Sequence, residues 1–334
     1  MIEGGGVLGA LAAMLAGSYY TVKLQEAFHK MLASARGRAV DVSEAKRILG
    51  IDDRDCYYRS DNTHPLYPWS SSLHPDNFDA LTTLTQYKVV RAEDQGLLLV
   101  ADSVHGDCEC DLVLVGSPTA EGCSRIVFGY TSPSDDSDSL ILANPPVDLP
   151  YYWILDKRSI SPNATAARFV EGKGRVRRPN WRIEGHVGAG HLYVPTVDVT
   201  EENLLCDDYL LISRVRNYLS TEALDSGKTI LTFGGAHGVG TKAIDLLLRD
   251  RRLLSELGSK LTGATAYQAL FRVGNIDHGP LGSRAGKIDL IDIQVLPDTD
   301  QVWRTAHNKV KLVVEQWLRS PRPNAPSRRK PQPH

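Results

Sequence analysis

The chain has 334 residues, of which 42% are hydrophobic and 23% charged, with a formal net charge of −2. This is the composition of a globular protein with room for a full core, and the lack of a basic excess argues against a dedicated nucleic-acid binder. Five cysteines (Cys56, Cys108, Cys110, Cys123, Cys206) make an odd set without disulfide-framework spacing, which fits reduced thiols in a cytoplasmic setting.

Residues 7–36 read as one long helix ended by Gly37. Gly4 to Val22 carries no charge over 19 residues, about the length needed to cross a bilayer. Five glycines, Ser18, Tyr19 and Tyr20 weaken its hydrophobicity. No basic residue precedes it and no cleavage pattern follows, so it is not a secretory signal. Two readings stand. As an anchor it would place Tyr19 and Tyr20 at the interface and hold the body on the cytoplasmic face, because Lys23, Lys30, Arg36 and Arg38 all follow it. As a packing helix its small residues (Gly9, Ala10, Ala12, Ala13, Ala16, Gly17) would meet the body or a second copy, giving a homo-oligomer.

A short helix follows, capped by Ser43 and stopped by Gly50. Asp52 to Pro75 has no periodicity and reads as linker, and Asp76 to Ala92 as a helix. The chain therefore divides into an apolar leader (1–36), a helix and linker (37–75), an α/β body (76–319) and a Pro-rich basic tail (320–334) with the composition of unfolded chain.

Within the body, Leu97–Ala101 and Asp111–Gly116 are continuous apolar runs, the mark of strands covered on both faces. The corner Gly116-Ser117-Pro118 falls where ligands bind in open α/β sheets, at the C-terminal end of a parallel strand. His105, Cys108, Cys110 and Cys123 include zinc-ligand types, but a C-x-C pair leading into a strand is not a zinc knuckle, so no metal is expected. Ile126–Tyr130, Leu140–Ala143 and Tyr151–Leu155 read as short, hairpin-connected strands. The polar loop 132–139 lacks calcium-loop spacing. Arg168, Lys173, Arg175, Arg177, Arg178 and Arg182 form a local basic cluster, suited to phosphates, to lipid head groups, or to a solvated edge strand. His191–Val199 and Tyr209–Val215 are further strands.

Thr229 to Leu248 is the most informative segment. A buried strand, Ile230–Phe233, runs into a turn holding Gly234, Gly235, His237, Gly238, Gly240 and Thr241, and a helix follows to about Leu257, stopped by Gly258. Glycines cluster where the backbone takes φ > 0 or approaches a ligand closely, and the amides opening a helix attract anions. The order G-G-x-x-G-x-G-T departs from the dinucleotide fingerprint, and Asp250, at about the right distance for its acidic residue, follows a helix and not a second strand. Gly227-Lys228-Thr229 precedes the strand and so is not a P-loop. Thr241 suits an N-cap, and His237 could donate to a phosphate or face water. The anion reading requires that the amides of residues 235–241 be free.

Tyr267–Val273 and Ile288–Val295 complete the strands. The last helix, Asp300–Arg319, sets Trp303, Ala306, Val310, Val313, Val314 and Trp317 on one face as core packing. The expected fold is α/β: a Rossmann-like, mostly parallel sheet with mixed or antiparallel additions, behind a long N-terminal helix. The layout resembles Rossmann-like ligand-sensing modules at the level of fold alone. Three functions follow. The first is binding or sensing of a nucleotide or other phosphorylated small molecule, with Gly116 and Ser117 facing Gly234–Thr241 across one crevice, the protein acting as a membrane-tethered effector where the leader spans. The second is an enzyme cutting a nucleotide, glycosyl or phosphoryl bond there, with His237, Asp208, Asp277 and His278 as acid–base candidates. The third is an oligomeric scaffold with a purely structural turn. No cofactor is indicated, and no hydrolase, kinase or deaminase signature occurs.

Overall fold

The computed structural model describes residues 48–49, 56–59, 79–80, 83–84, 111–118, 122–131, 141–155, 168–170, 174–176, 181–186, 190–198, 204–279 and 282–319. All lie within one compact unit, Val42–His334. The expected N-terminal helix, the strand at 97–101, the 132–139 loop and the tail lie outside the described residues, as do His105, Cys108, Cys110, Lys173, Arg177 and Arg178. No helix among the described residues is long and apolar enough to cross a membrane. The anchor and oligomer readings rest on residues 1–36, which are not described.

In chain order the elements are β1 (Cys56–Arg59), β2 (Asp111–Val115), α1 (Gly122–Phe128), β3 (Tyr130–Thr131), β4 (Ile141–Leu142), β5 (Tyr151–Leu155), β6 (Arg168–Val170), β7 (Gly174–Val176), β8 (Trp181–Gly185) and β9 (Leu192–Tyr193). Then come β10 (Val197–Asp198), β11 (Leu204–Leu205), β12 (Asp207–Arg216), α2 (Thr221–Asp225), β13 (Thr229–Gly235), α3 (Gly238–Lys242), α4 (Ile244–Arg249), α5 (Arg251–Lys260), β14 (Tyr267–Gly279), β15 (Gly282–Val295) and α6 (Asp300–Arg319).

The apolar runs of β2 and β13 need pairing on both edges and cover on both faces. They obtain both inside a six-stranded sheet of order β1-β2-β13-β12-β14-β15. The sheet is mixed, which corrects the mostly parallel, Rossmann-like expectation. β1 with β2 and β2 with β13 are parallel, whereas β13–β12, β12–β14 and β14–β15 are antiparallel. The connections explain this. A parallel neighbour needs a long crossover, but Asn217–Lys228 holds only the five-residue α2, and β14 meets β15 across residues 280–281.

Strand alternation divides the core. On one face Leu112, Leu114, Tyr209, Leu211, Val215, Ile230 and Leu270 join Val127 and Phe128 of α1, Trp153 of β5, and Trp303, Ala306, Val310 and Val314 of α6 in one buried cluster. The small sheet β5-β8-β9 docks on this face through Gln268. Its Oε1 accepts from Tyr151 N at 2.8 Å, and its Nε2 donates to Tyr151 O at 3.1 Å and Ser213 Oγ at 2.9 Å. A buried amide thus satisfies an unpaired strand backbone, as burial demands. On the opposite face Leu210, Ile212, Phe233, Phe271 and Val273 are buried, and so are Ile244, Leu247, Leu248, Leu253, Leu254 and Leu257 of α4 and α5.

Several local expectations change. Ile126–Phe128 is helical, not a strand, because tertiary packing of Val127 and Phe128 overrides their β propensity. The helix after the Gly turn is three short helices. Asp250 caps the third by accepting from Arg252 N and Leu253 N. Gly258 lies inside that helix, not at its end, where a Cβ would come within 2.9 Å of the Ile48 side chain. In α6, Val313 faces outward at 50% exposure.

Candidate functional site

β2 and β13 run parallel with Val115 beside Phe233, so the Gly116–Ser117 corner and the Gly234–Gly235 turn leave the sheet side by side. Gly116 N extends the ladder by donating to Phe233 O at 2.8 Å. The two turns the sequence places on one rim are therefore neighbours. They do not face each other across a gap at Gly234, where a Cβ would meet Trp153 Cζ2 at 2.9 Å and Ser117 N at 3.0 Å.

Beyond this corner the turn closes on an internal anion. Asp208, next to the start of β12, lies beside the end of β13 because the two strands are antiparallel, with Leu210 opposite Gly235. Its side chain is 0% exposed. Oδ2 accepts from Gly240 N at 2.7 Å and His237 N at 3.2 Å. The surrounding amides are also engaged: Gly235 N donates to Thr241 Oγ1 at 2.8 Å, Ala236 N to Tyr209 O at 3.0 Å, and Thr241 N to His237 O at 3.3 Å. Of the amides of residues 235–241, only those of Gly238 and Val239 have no acceptor among the described residues.

The glycines are explained by this closure. A Cβ on Gly235 would sit 2.2 Å from His237 O, and one on Gly240 would sit 2.3 Å from Tyr209 O and 2.7 Å from Asp208 Oδ2. Neither position admits a side chain without moving backbone. Gly234, Gly235, Gly240 and Thr241 are buried, and Gly238 is half-buried. Thr241 is not the N-cap: that position belongs to His237, which makes no side-chain capping bond.

The His237 side chain is only 6% exposed, and its Nδ1 lies 3.3 Å from Asp208 Oδ1. A carboxylate only accepts, so Nδ1 carries the proton, and in the neutral form of the ring Nε2 is an acceptor. Nε2 is buried and has no partner among the described residues. A carboxylate behind an imidazole fixes its tautomer and orientation, the arrangement of a general base or a directed ligand contact. Among the four acid–base candidates, the fold joins His237 and Asp208. It puts Asp277 and His278 on the β14–β15 hairpin, where His278 is bonded to Ser283 Oγ at 2.8 Å and Leu205 O at 2.7 Å.

Sequence reasoning gave Asp208 no structural part in the turn. The available signal was two aspartates opening an otherwise apolar strand, since a carboxylate entering a core must be paired there. With the geometry in hand, no family model, no curated protein and no solved structure matches this chain.

Proposed function

We propose that the chain binds a small molecule of the nucleotide or sugar-phosphate class at the shared end of β2 and β13, through the Nε2 of His237. The observation that supports this is a buried imidazole nitrogen without a partner among the described residues, on a ring oriented by a buried carboxylate. Such a nitrogen is an acceptor for a ligand hydroxyl or N–H, and leaving it unpaired is unfavourable. Recognition rests on the ring, because five of the seven amides of residues 235–241 have protein acceptors, two of them in Asp208. Thermal unfolding with adenosine and guanosine phosphates tests this. The wild-type midpoint rises with at least one of them, and His237→Ala loses the rise. Equal shifts in both proteins remove His237 from the site, and no shift in either rejects the ligand class.

The Asp208–His237 pair favours a second reading, an enzyme acting on a glycosyl or phosphoryl bond of the same ligand, with Nε2 taking a proton from water or a hydroxyl. Mass spectrometry of the same panel separates the two. Products made by the wild type and absent with His237→Ala support catalysis, and an unchanged ligand supports binding alone.

A further inference from the structure

At the end of β13 opposite His237, Arg214, Arg216, Gly227, Thr229, Asp298 and Arg304 line a cavity of about 400 Å³, within the range that takes small molecules. Its cations are not equivalent. Arg216 is engaged with Asp298 at 2.6 Å and Asp300 at 2.7 Å, and Arg304 with Asp225 at 2.8 Å. Arg214 has no carboxylate partner among the described residues. Its Nη1 donates to Thr265 O at 2.8 Å, and its Nε is buried with no partner among the described residues.

Which nitrogen is engaged matters. In a guanidinium, Nε–H and Nη2–H share one edge, the side-on fork that grips two oxygens of a carboxylate or phosphate. Nη1 is not part of that fork, so the bond to Thr265 leaves it intact while fixing the plane of the group. The backbone of Arg214 is held on both sides, opposite Leu231 of β13 and Tyr267 of β14. The stem is rigid, and its buried Nε lacks, among the described residues, the acceptor that burial calls for.

We propose that this cavity binds a small molecule through one oxyanion group, a carboxylate or a phosphate, seated on the Nε/Nη2 edge of Arg214. The neighbouring Asp298 and Asp300 already share Arg216, so their charge restricts the site to a single anionic group near Arg214. The site is separate from the His237 end, and its test does not depend on that reading.

Acetate and inorganic phosphate serve as probes, each with one anionic group, and sodium chloride at equal ionic strength is the reference. The thermal midpoint of the full chain is expected to rise with at least one probe beyond the chloride value. Arg214→Met keeps the stem, removes the fork and loses the rise. Arg214→Lys keeps the charge without the fork and shows a smaller rise. Gly227→Asn tests the cavity without touching Arg214: its φ of +67° suits asparagine, and a Cβ there meets nothing within 4 Å. This variant folds and also loses the rise. A response to phosphate alone or acetate alone supports the site and names the group. No rise in the wild type beyond chloride overturns the proposal, as does a full-sized rise in Arg214→Lys or Gly227→Asn.

Discussion

Two carboxylates brought into the fold near the ends of β13, Asp208 and Asp298, are held by opposite means. At the Gly235 end Asp208 is fully buried and held by the backbone amides of His237 and Gly240, with the His237 ring beside it. At the Thr229 end the Asp298 side chain is 19% exposed and held by side chains: Arg216 Nε and Trp303 Nε1, each at 2.6 Å, and Thr265 Oγ1. Amides in a closed turn lose no rotamer entropy when they engage the ion, whereas a long cation such as Arg216 does. The first end is therefore rigid and unforgiving, and the second adaptable. A glycine-rich turn at a strand end has the amides of an anion site whether the anion comes from solution or from the neighbouring strand.

The largest effects should come from Asp208. Asp208→Ala strands the amides of Gly240 and His237 and the ring proton, and is expected to cost about 3–5 kcal/mol, the range for breaking a buried charge–partner contact. Arg216→Ala, at the other end, should cost about 1 kcal/mol, since its partners remain accessible to water. Urea unfolding of the two variants tests the comparison directly. An Asp208→Ala cost below that of Arg216→Ala would mean that water reaches the turn and that its amides are not committed.

The next test exchanges glycines. Gly240→Ala forces Tyr209 O and Asp208 Oδ2 away from contacts of 2.3 and 2.7 Å and is expected to cost about 3 kcal/mol. Gly227→Ala at the other end meets open space and incurs only the strain of a positive φ, about 1 kcal/mol. Unfolding midpoints in that order sharpen the contrast. The reverse order would show that the Gly235 end yields more easily than its contacts imply.

What the sequence shows of this fold is what is local. The apolar runs of β2 and β13, the turn after Phe233 and the one-sided stripe of Trp303, Ala306, Val310 and Val314 are periodic or compositional signals that need no partner to be read. The adjacency of the Gly116 and Gly234 turns follows from a parallel pairing, and β2 and β13 do pair that way. The antiparallel half of the sheet is hidden because its longest pair runs through 274–287, a glycine-rich polar stretch with no strand pattern. Its alternation is set by a ladder reaching past the end of β12. The identity of the anion is hidden more deeply, since Asp208 precedes His237 by 29 residues and only the β12–β13 register joins them. Asp250 mimics the acidic residue of a dinucleotide fingerprint by position, and in the fold it caps a helix.

The smallest effect is a pH dependence confined to the adaptable end. Burial raises the pKa of Asp298, but hydrogen bonds from Thr265, Arg216 and Trp303 outweigh it and hold the carboxyl below its ordinary value. A lowered native pKa gives stability that is present above the unfolded value of about 3.9 and lost as pH falls through the native one. Because the group is partly exposed, its contribution should be under about 1 kcal/mol. Asp298→Asn is therefore expected to make the urea midpoint fall less steeply between about pH 5 and pH 2. The difference should also shrink at about 1 M salt, where exposed pairs are screened and a fully buried contact such as that of Asp208 is not. A midpoint profile in Asp298→Asn parallel to wild type would place the acid sensitivity elsewhere. Asp292, whose carboxyl is likewise lowered by Tyr151 and Gln294 against the opposing effect of burial, would then be the next residue to replace.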